Sequence, residues 1–218
     1  MKTSFLDFIG KMARILKEYP LVSLKCEDLN EKIDFARIFG RSGPVHIEIG
    51  AGKGTFLVNQ AKANPSDNFL GIEWANRFFR MAVDRTGRWN VTNVRIIRTD
   101  AVTFITDFVP EDSINCFHIY FPDPWPKKKH HKRRFICNQN IENLIRRLKT
   151  GGQIRIATDH SGYFEQIKEV LGKASNSLEE IEFSPAAGAE TGEWVGTNFE
   201  RKYLIEERPI YTIAVKKK

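Results

Sequence analysis

The chain has 218 residues, 41% hydrophobic and 28% charged, and its 34 lysines and arginines against 27 acids give a net charge of +7. A chain of this size buries roughly 70% of the surface its unfolded form exposes, and this composition excludes a disordered polymer. No stretch reaches the roughly 20 apolar residues of a spanning helix. Three dispersed cysteines (Cys26, Cys116, Cys137) make no disulfide framework, so a reducing, cytoplasmic setting is expected.

In chain order, Phe5, Phe8, Ile9, Met12, Ile15 and Leu16 follow the helical period and predict an amphipathic helix ending before Pro20. Asp7, Lys11 and Arg14 interrupt any apolar core of a signal peptide. Residues 1–43 are expected to form a helical extension, and residues 44–218 one domain. From Pro44 strands alternate with helices. Strands are predicted at Val45–Ile49, Asn68–Glu73, Val94–Thr99, Ile114–Phe121 and Ile154–Thr158. Helices are predicted at Thr55–Ala63, Ala75–Arg88, near Thr103–Asp107, at Asn138–Lys149 (stopped by Gly151–Gly152) and at Tyr163–Leu171. Leu178–Phe183 and Ile210–Val215 can pair as late strands on either side of a turn-rich stretch, 184–196. The alternation implies an α/β fold with a mostly parallel sheet covered on both faces.

Ligands of such sheets bind beyond the carboxyl ends of the strands. Five predicted strands end in or beside an acid at that edge: Glu48, Glu73, Asp100, Asp123 and Asp159. Helix capping explains one acid after a strand, but five in series favour a ligand site. EIGAGKG, from Glu48, carries Gly50, Gly52 and Gly54 where a ligand must approach the backbone closely. It lacks both the third glycine of a dinucleotide fingerprint, since position 55 is threonine, and the GK[ST] of a phosphate loop. Glu73 lies 21 residues after Gly52, a place from which a carboxylate accepts ribose hydroxyls, and Asp100 suits a donor on adenine. These features point to a nucleoside cofactor without phosphates.

FPDPWPKKKHHKRR, from Phe121, is the most specific segment. Pro122, Pro124 and Pro126 stiffen an elbow that presents Asp123 and Trp125, and Lys127–Arg134 follows with six basic residues and no acid. With the terminal Lys216–Lys218, that run holds nine of the basic side chains; the remainder is 25 basic against 27 acidic. The positive charge is therefore local and suits a polyanion, nucleic acid first. An aromatic and cations beside a rigid carboxylate suit a base lifted from its stack. Cys116 and His118 share one strand face, but no spaced ligand pair accompanies them and no metal is expected.

Together EIGAGKG, GIE at Gly71, RTDA at Arg98, FPDPWPKKKHHKRR, ATD at Ala157 and GTNFE at Gly196 resemble the bacterial tRNA (guanine-N7-)-methyltransferase family, over about residues 44–216. The resemblance implies a Rossmann-like class I methyltransferase sheet with an antiparallel C-terminal strand. It implies S-adenosylmethionine as cofactor and tRNA as substrate, methylated at N7 of a variable-loop guanosine. By the same resemblance Glu48, Gly50, Gly52, Glu73, Asp100 and Asp123 would meet the cofactor, with Asp123 also catalytic. Lys127, Asp159, Thr197, Asn198, Phe199 and Glu200 would hold the tRNA, with Lys127–Arg134 as a further RNA contact. The rival readings are a methyltransferase for another atom or RNA, a dinucleotide-dependent oxidoreductase, and a non-catalytic RNA-binding protein.

Overall fold

The computed structural model describes residues 15–29 and 31–218. The predicted N-terminal helix lies outside them except for Ile15 and Leu16, which are in irregular backbone. Eight strands form one sheet: β1 (Ser23–Leu24), β2 (Val45–Ile49), β3 (Asn68–Ile72), β4 (Val94–Ile97), β5 (Ile114–Tyr120), β6 (Leu148–Thr158), β7 (Leu178–Ile181) and β8 (Tyr211–Lys217). Their spatial order is β1-β4-β3-β2-β5-β6-β8-β7. Pairings from β1 through β6 are parallel, whereas β8 runs antiparallel to both β6 and β7. The helices are α1 (Phe35–Phe39), α2 (Thr55–Ala63), α3 (Asn76–Arg88), α4 (Ala101–Asp107), α5 (Asn138–Arg147), α6 (Ser161–Lys173) and α7 (Asn198–Ile205).

The central strands are buried on both faces because both are covered, as is usual for a parallel sheet. Ile47, Leu70, Ile96, Phe117, Ile119 and Ile154 are wholly inaccessible. At Gly71, in β3, an added Cβ would lie 2.5 Å from Leu57 Cδ1 of α2, so that position must stay bare for helix and sheet to close. The edge strand β1 pairs with β4, and Val22, Ile33 and Phe39 are buried, so residues before position 44 share the sheet and its core.

One expectation is corrected, and one helix was not anticipated. Helix α5 stops at Arg147, and Gly151–Gly152 do not terminate it; they lie inside β6. There Ile114 pairs with Leu148 and Cys116 with Gln153, so the extra residues of β6 bulge, with Gly151 at φ +76°. Helix α7 lies just beyond the turn-rich stretch 184–196, where no element was predicted. Its signal is Thr197-x-x-Glu200, a capping box: Thr197 Oγ1 accepts from the Glu200 amide at 3.0 Å.

Candidate active site

Parallel pairing of β2 through β6 brings their carboxyl ends to one edge, and the five acids after those strands take five different roles. Glu48 ends buried at the floor of a cavity of about 260 Å³, near the lower end of the roughly 300–1,000 Å³ range of small-molecule sites. Its Oε2 has no hydrogen-bond partner. Burial, then the nearby negative charge of Glu73, pushes its carboxyl well above the usual range.

Glu73 is half of a loop brace. Its Oε2 accepts from the Gly52 amide and its Oε1 from the Ala75 amide, both at 2.8 Å. Each oxygen keeps a lone pair for a ligand. The glycine loop it holds turns through left-handed backbone at Gly50, Gly52 and Gly54. Gly54 is the tightest case: at φ +68°, an added Cβ would also stand 3.0 Å from that of Ala82 in α3.

The remaining acids, at the same sheet edge, do not line the cavity. Asp100 caps α4, its Oδ1 accepting from the Thr103 amide at 2.9 Å, as the capping alternative anticipates. Asp159 pairs through Oδ2 with Arg208 Nη1 at 2.7 Å. Asp123 is exposed at the crest of the elbow, between Phe121 and Trp125, both non-glycine residues at positive φ (52° and 42°). Two strained residues on either side of one acid mark a conformation imposed by its surroundings.

Those surroundings include the end of the basic run. Arg134 is buried; its Nε donates to the Pro124 carbonyl at 2.7 Å, its Nη1 to Gln166 Oε1 at 2.6 Å, and its guanidinium stacks on Tyr163 at 4.7 Å. It belongs to the elbow's scaffold. Lys127, Lys128, Lys129, Lys132 and Arg133 are exposed, and Arg133 lies over the Trp125 ring at 5.0 Å.

The expected residues Glu48, Gly50, Gly52, Thr197, Asn198 and Phe199 all line the cavity. So do Phe78, Tyr120 and Lys202, which belong to no motif and are brought there only by the ends of α3, β5 and α7. Phe199 and Phe121 meet at 6.5 Å between ring centres, and Tyr203 joins both, making an aromatic shelf at the mouth. Glu200 does not reach the cavity. It is 0% exposed. Its carboxylate accepts from the amides of Trp194 (2.6 Å), Val195 (3.0 Å) and Gly196 (2.7 Å), so no face is open to a base.

Beneath the floor, on the sheet face below Phe56, lies a buried polar row. Tyr120 Oη is 2.8 Å from His118 Nδ1, His118 Nε2 is 3.1 Å from His46 Nδ1, and His46 Nε2 is 3.4 Å from Asp67 Oδ2. Cys116 Sγ is 3.9 Å from His118 Nδ1, on the opposite side of that ring from His46. Burial pushes the Cys116 thiol up to about 12 and lowers both imidazoles.

A family model described as "Putative methyltransferase" matches residues 42–213, well over half of the chain. The chain belongs to this methyltransferase family. Curated relatives agree. It is 40% identical over 162 residues to the tRNA (guanine-N(7)-)-methyltransferase of Idiomarina loihiensis, a match covering 74% of this chain and 65% of that one. It is 43% identical over 145 residues to that of Psychromonas ingrahamii, covering 66% and 60%. The chain thus spans less than two thirds of the length of either. Among solved structures, the 16S rRNA methyltransferase KamB has a TM-score of 0.58 at 12% identity, covering 86% of this chain and 94% of that one. A 30S ribosomal A1408 methyltransferase from an uncultured bacterium scores 0.57 at 18%, covering 86% and 96%. At such identities the methyltransferase fold is what is shared. Among the described residues no helix is long and apolar enough to cross a membrane.

Proposed function

We propose that this chain transfers a methyl group from S-adenosylmethionine to N7 of a guanosine in the variable loop of tRNA. The observation that carries the reading is the orphaned, buried carboxylate oxygen of Glu48, facing a cavity between the glycine loop and the proline–tryptophan elbow. A buried acceptor without a donor is costly, and a ligand with a cationic amino group satisfies it. The glycine loop admits a ligand against its backbone, and the free lone pairs of Glu73 suit ribose hydroxyls. When bound, S-adenosylmethionine supplies a methyl group activated by a sulfonium.

Guanine N7 carries a lone pair and no proton, so the chain need not supply a general base. Its residues orient and stabilise. Phe121 and Phe199 offer the target base a stacking shelf beside Asp123. Asp123, held by a stiff elbow, stabilises positive charge as it develops on the purine. Asp159 Oδ1 remains for guanine N1–H or its 2-amino group while Oδ2 pairs with Arg208. Lys127 and the exposed part of the basic run neutralise tRNA phosphates. The names of the curated relatives support this substrate and atom.

The test is incubation with unmodified bulk tRNA and methyl-labelled S-adenosylmethionine, followed by nucleoside analysis. Label in 7-methylguanosine is expected. Label in another nucleoside would move the activity to another atom, and no label would leave a binding protein.

A further inference from the structure

The segment from Ser184 through α7 carries no strand, yet it is firmly attached. The Ala186 amide donates to the Trp194 carbonyl at 2.7 Å, and Trp194 packs edge-on against Phe183. Gln60 of α2 donates to the Ala187 carbonyl. Arg201 ties α7 back to Glu193, Nε to Oε1, at 2.6 Å. At its centre the Glu200 carboxylate gathers three successive amides, those of residues 194–196, into a nest. Carboxylate acceptors make such bonds roughly twice as strong as neutral ones, and here no water competes. A capping box ordinarily returns its glutamate to the amide of the capping residue. Here the glutamate reaches one to three residues further back and thereby sets the path of the chain entering α7.

That path has a consequence at the cavity. Asn198, in the first turn of α7, donates Nδ2 to Thr55 Oγ1 at 2.7 Å. Thr55 opens α2 directly after the glycine loop, so this bond joins the two sides of the cavity, 143 residues apart in sequence. Thr197, Asn198, Phe199 and Lys202 then form the wall facing Gly50 to Lys53.

We propose that Asn198 and Glu200 are positioning residues of the methyl-donor pocket: Glu200 shapes its outer wall, Asn198 latches that wall to the glycine loop, and neither touches the target base. The inference rests on the methyltransferase reading of the cavity and departs from the expectation that both residues hold tRNA.

The test is the affinity for S-adenosylhomocysteine without tRNA, by calorimetry, in the wild type and in Asn198→Ala, Thr55→Val, the double variant and Glu200→Gln. Asn198→Ala and Thr55→Val should each weaken binding about threefold to tenfold, the range of one hydrogen bond. The double variant should bind no more weakly than the worse single one. Affinity of the cofactor-free protein for tRNA should stay within about twofold. Glu200→Gln should follow the same pattern. Should it fail to fold, the Asn198–Thr55 cycle decides alone. Unchanged S-adenosylhomocysteine affinity in Asn198→Ala with a raised KM for tRNA would overturn the proposal, as would additive losses, which mean that the Thr55 hydroxyl acts on the ligand by itself. A wild type that binds no S-adenosylhomocysteine would overturn the methyltransferase reading itself, and the latch with it.

Discussion

Arg134 Nε donates to the carbonyl oxygen of Pro124 at 2.7 Å, so the last residue of the basic run holds the elbow that the run follows. Replacing Arg134 with Met keeps much of the stem and removes the bond, leaving the half-buried Pro124 carbonyl unpaired. The expected loss is about 1–3 kcal/mol, seen as a fall of several degrees in Tm. The salt dependence of tRNA binding should keep its slope, because this guanidinium faces inward.

The exposed neighbours behave oppositely. Changing Lys128, Lys129 and Arg133 together to Ala should weaken tRNA binding and reduce the slope of log K against log salt by roughly 0.7–0.9 for each phosphate left without its cation. Tm and S-adenosylhomocysteine affinity should barely move. An unchanged slope would mean that the run is only a solvated turn.

Asp123→Asn removes a charge and keeps the shape of the elbow. If the carboxylate stabilises charge on the purine, kcat falls by about 10²-fold or more, while the circular dichroism spectrum and tRNA affinity hold. Near-normal kcat would discard the electrostatic role.

Glu48 sets stability against function. Its carboxyl is raised by burial and by Glu73, so the folded apo protein resists ionising it. Above the ordinary carboxylate pKa the unfolded chain ionises freely and the folded one does not, which subtracts stability as pH rises. Glu48→Gln should therefore raise the apo Tm near neutral pH by a few degrees, roughly 1 kcal/mol or more. The same change should lower affinity for S-adenosylmethionine. In the wild type, binding a cationic ligand favours the ionised acid, so affinity should climb with pH through the raised pKa and level off above it.

The imidazoles act in the other direction. Burial lowers the pKa of His118 and His46, so both stay neutral when folded and accept protons only on unfolding. Stability should fall as pH drops below about 6.5, the ordinary histidine value. His118→Gln should shift the onset of that acid loss to lower pH in urea titrations.

Much of the architecture was legible from periodicity alone. β2 and α2 have the predicted bounds, because Val45, Ile47 and Ile49 are buried in the core and the glycine loop marks the helix start. Gly151–Gly152 misled because glycine serves a helix stop and a strand bulge equally, and only the β5 pairings on either side, Ile114 with Leu148 and Cys116 with Gln153, separate them. No element was predicted over α7, although Thr197-x-x-Glu200 carried the signal. For the site, the acids at the strand ends were visible but their division of labour was not. Whether a carboxylate is spent on amides, as in Glu200, or left empty, as in Glu48, depends on contacts far apart in sequence.

The row beneath the cavity floor has a direction. Asp67 stands at its outer end, 3.4 Å from His46 Nε2, and burial keeps both imidazoles neutral. A carboxylate can only accept and a neutral imidazole carries a single N–H, so every link must point the same way. Tyr120 gives its proton to His118 Nδ1, His118 gives its Nε2 proton to His46 Nδ1, and His46 keeps its own on Nε2, toward Asp67. Both rings are thereby locked in one tautomer, and nitrogen NMR at neutral pH should find the Nε2–H form at each, a compass needle set into the sheet.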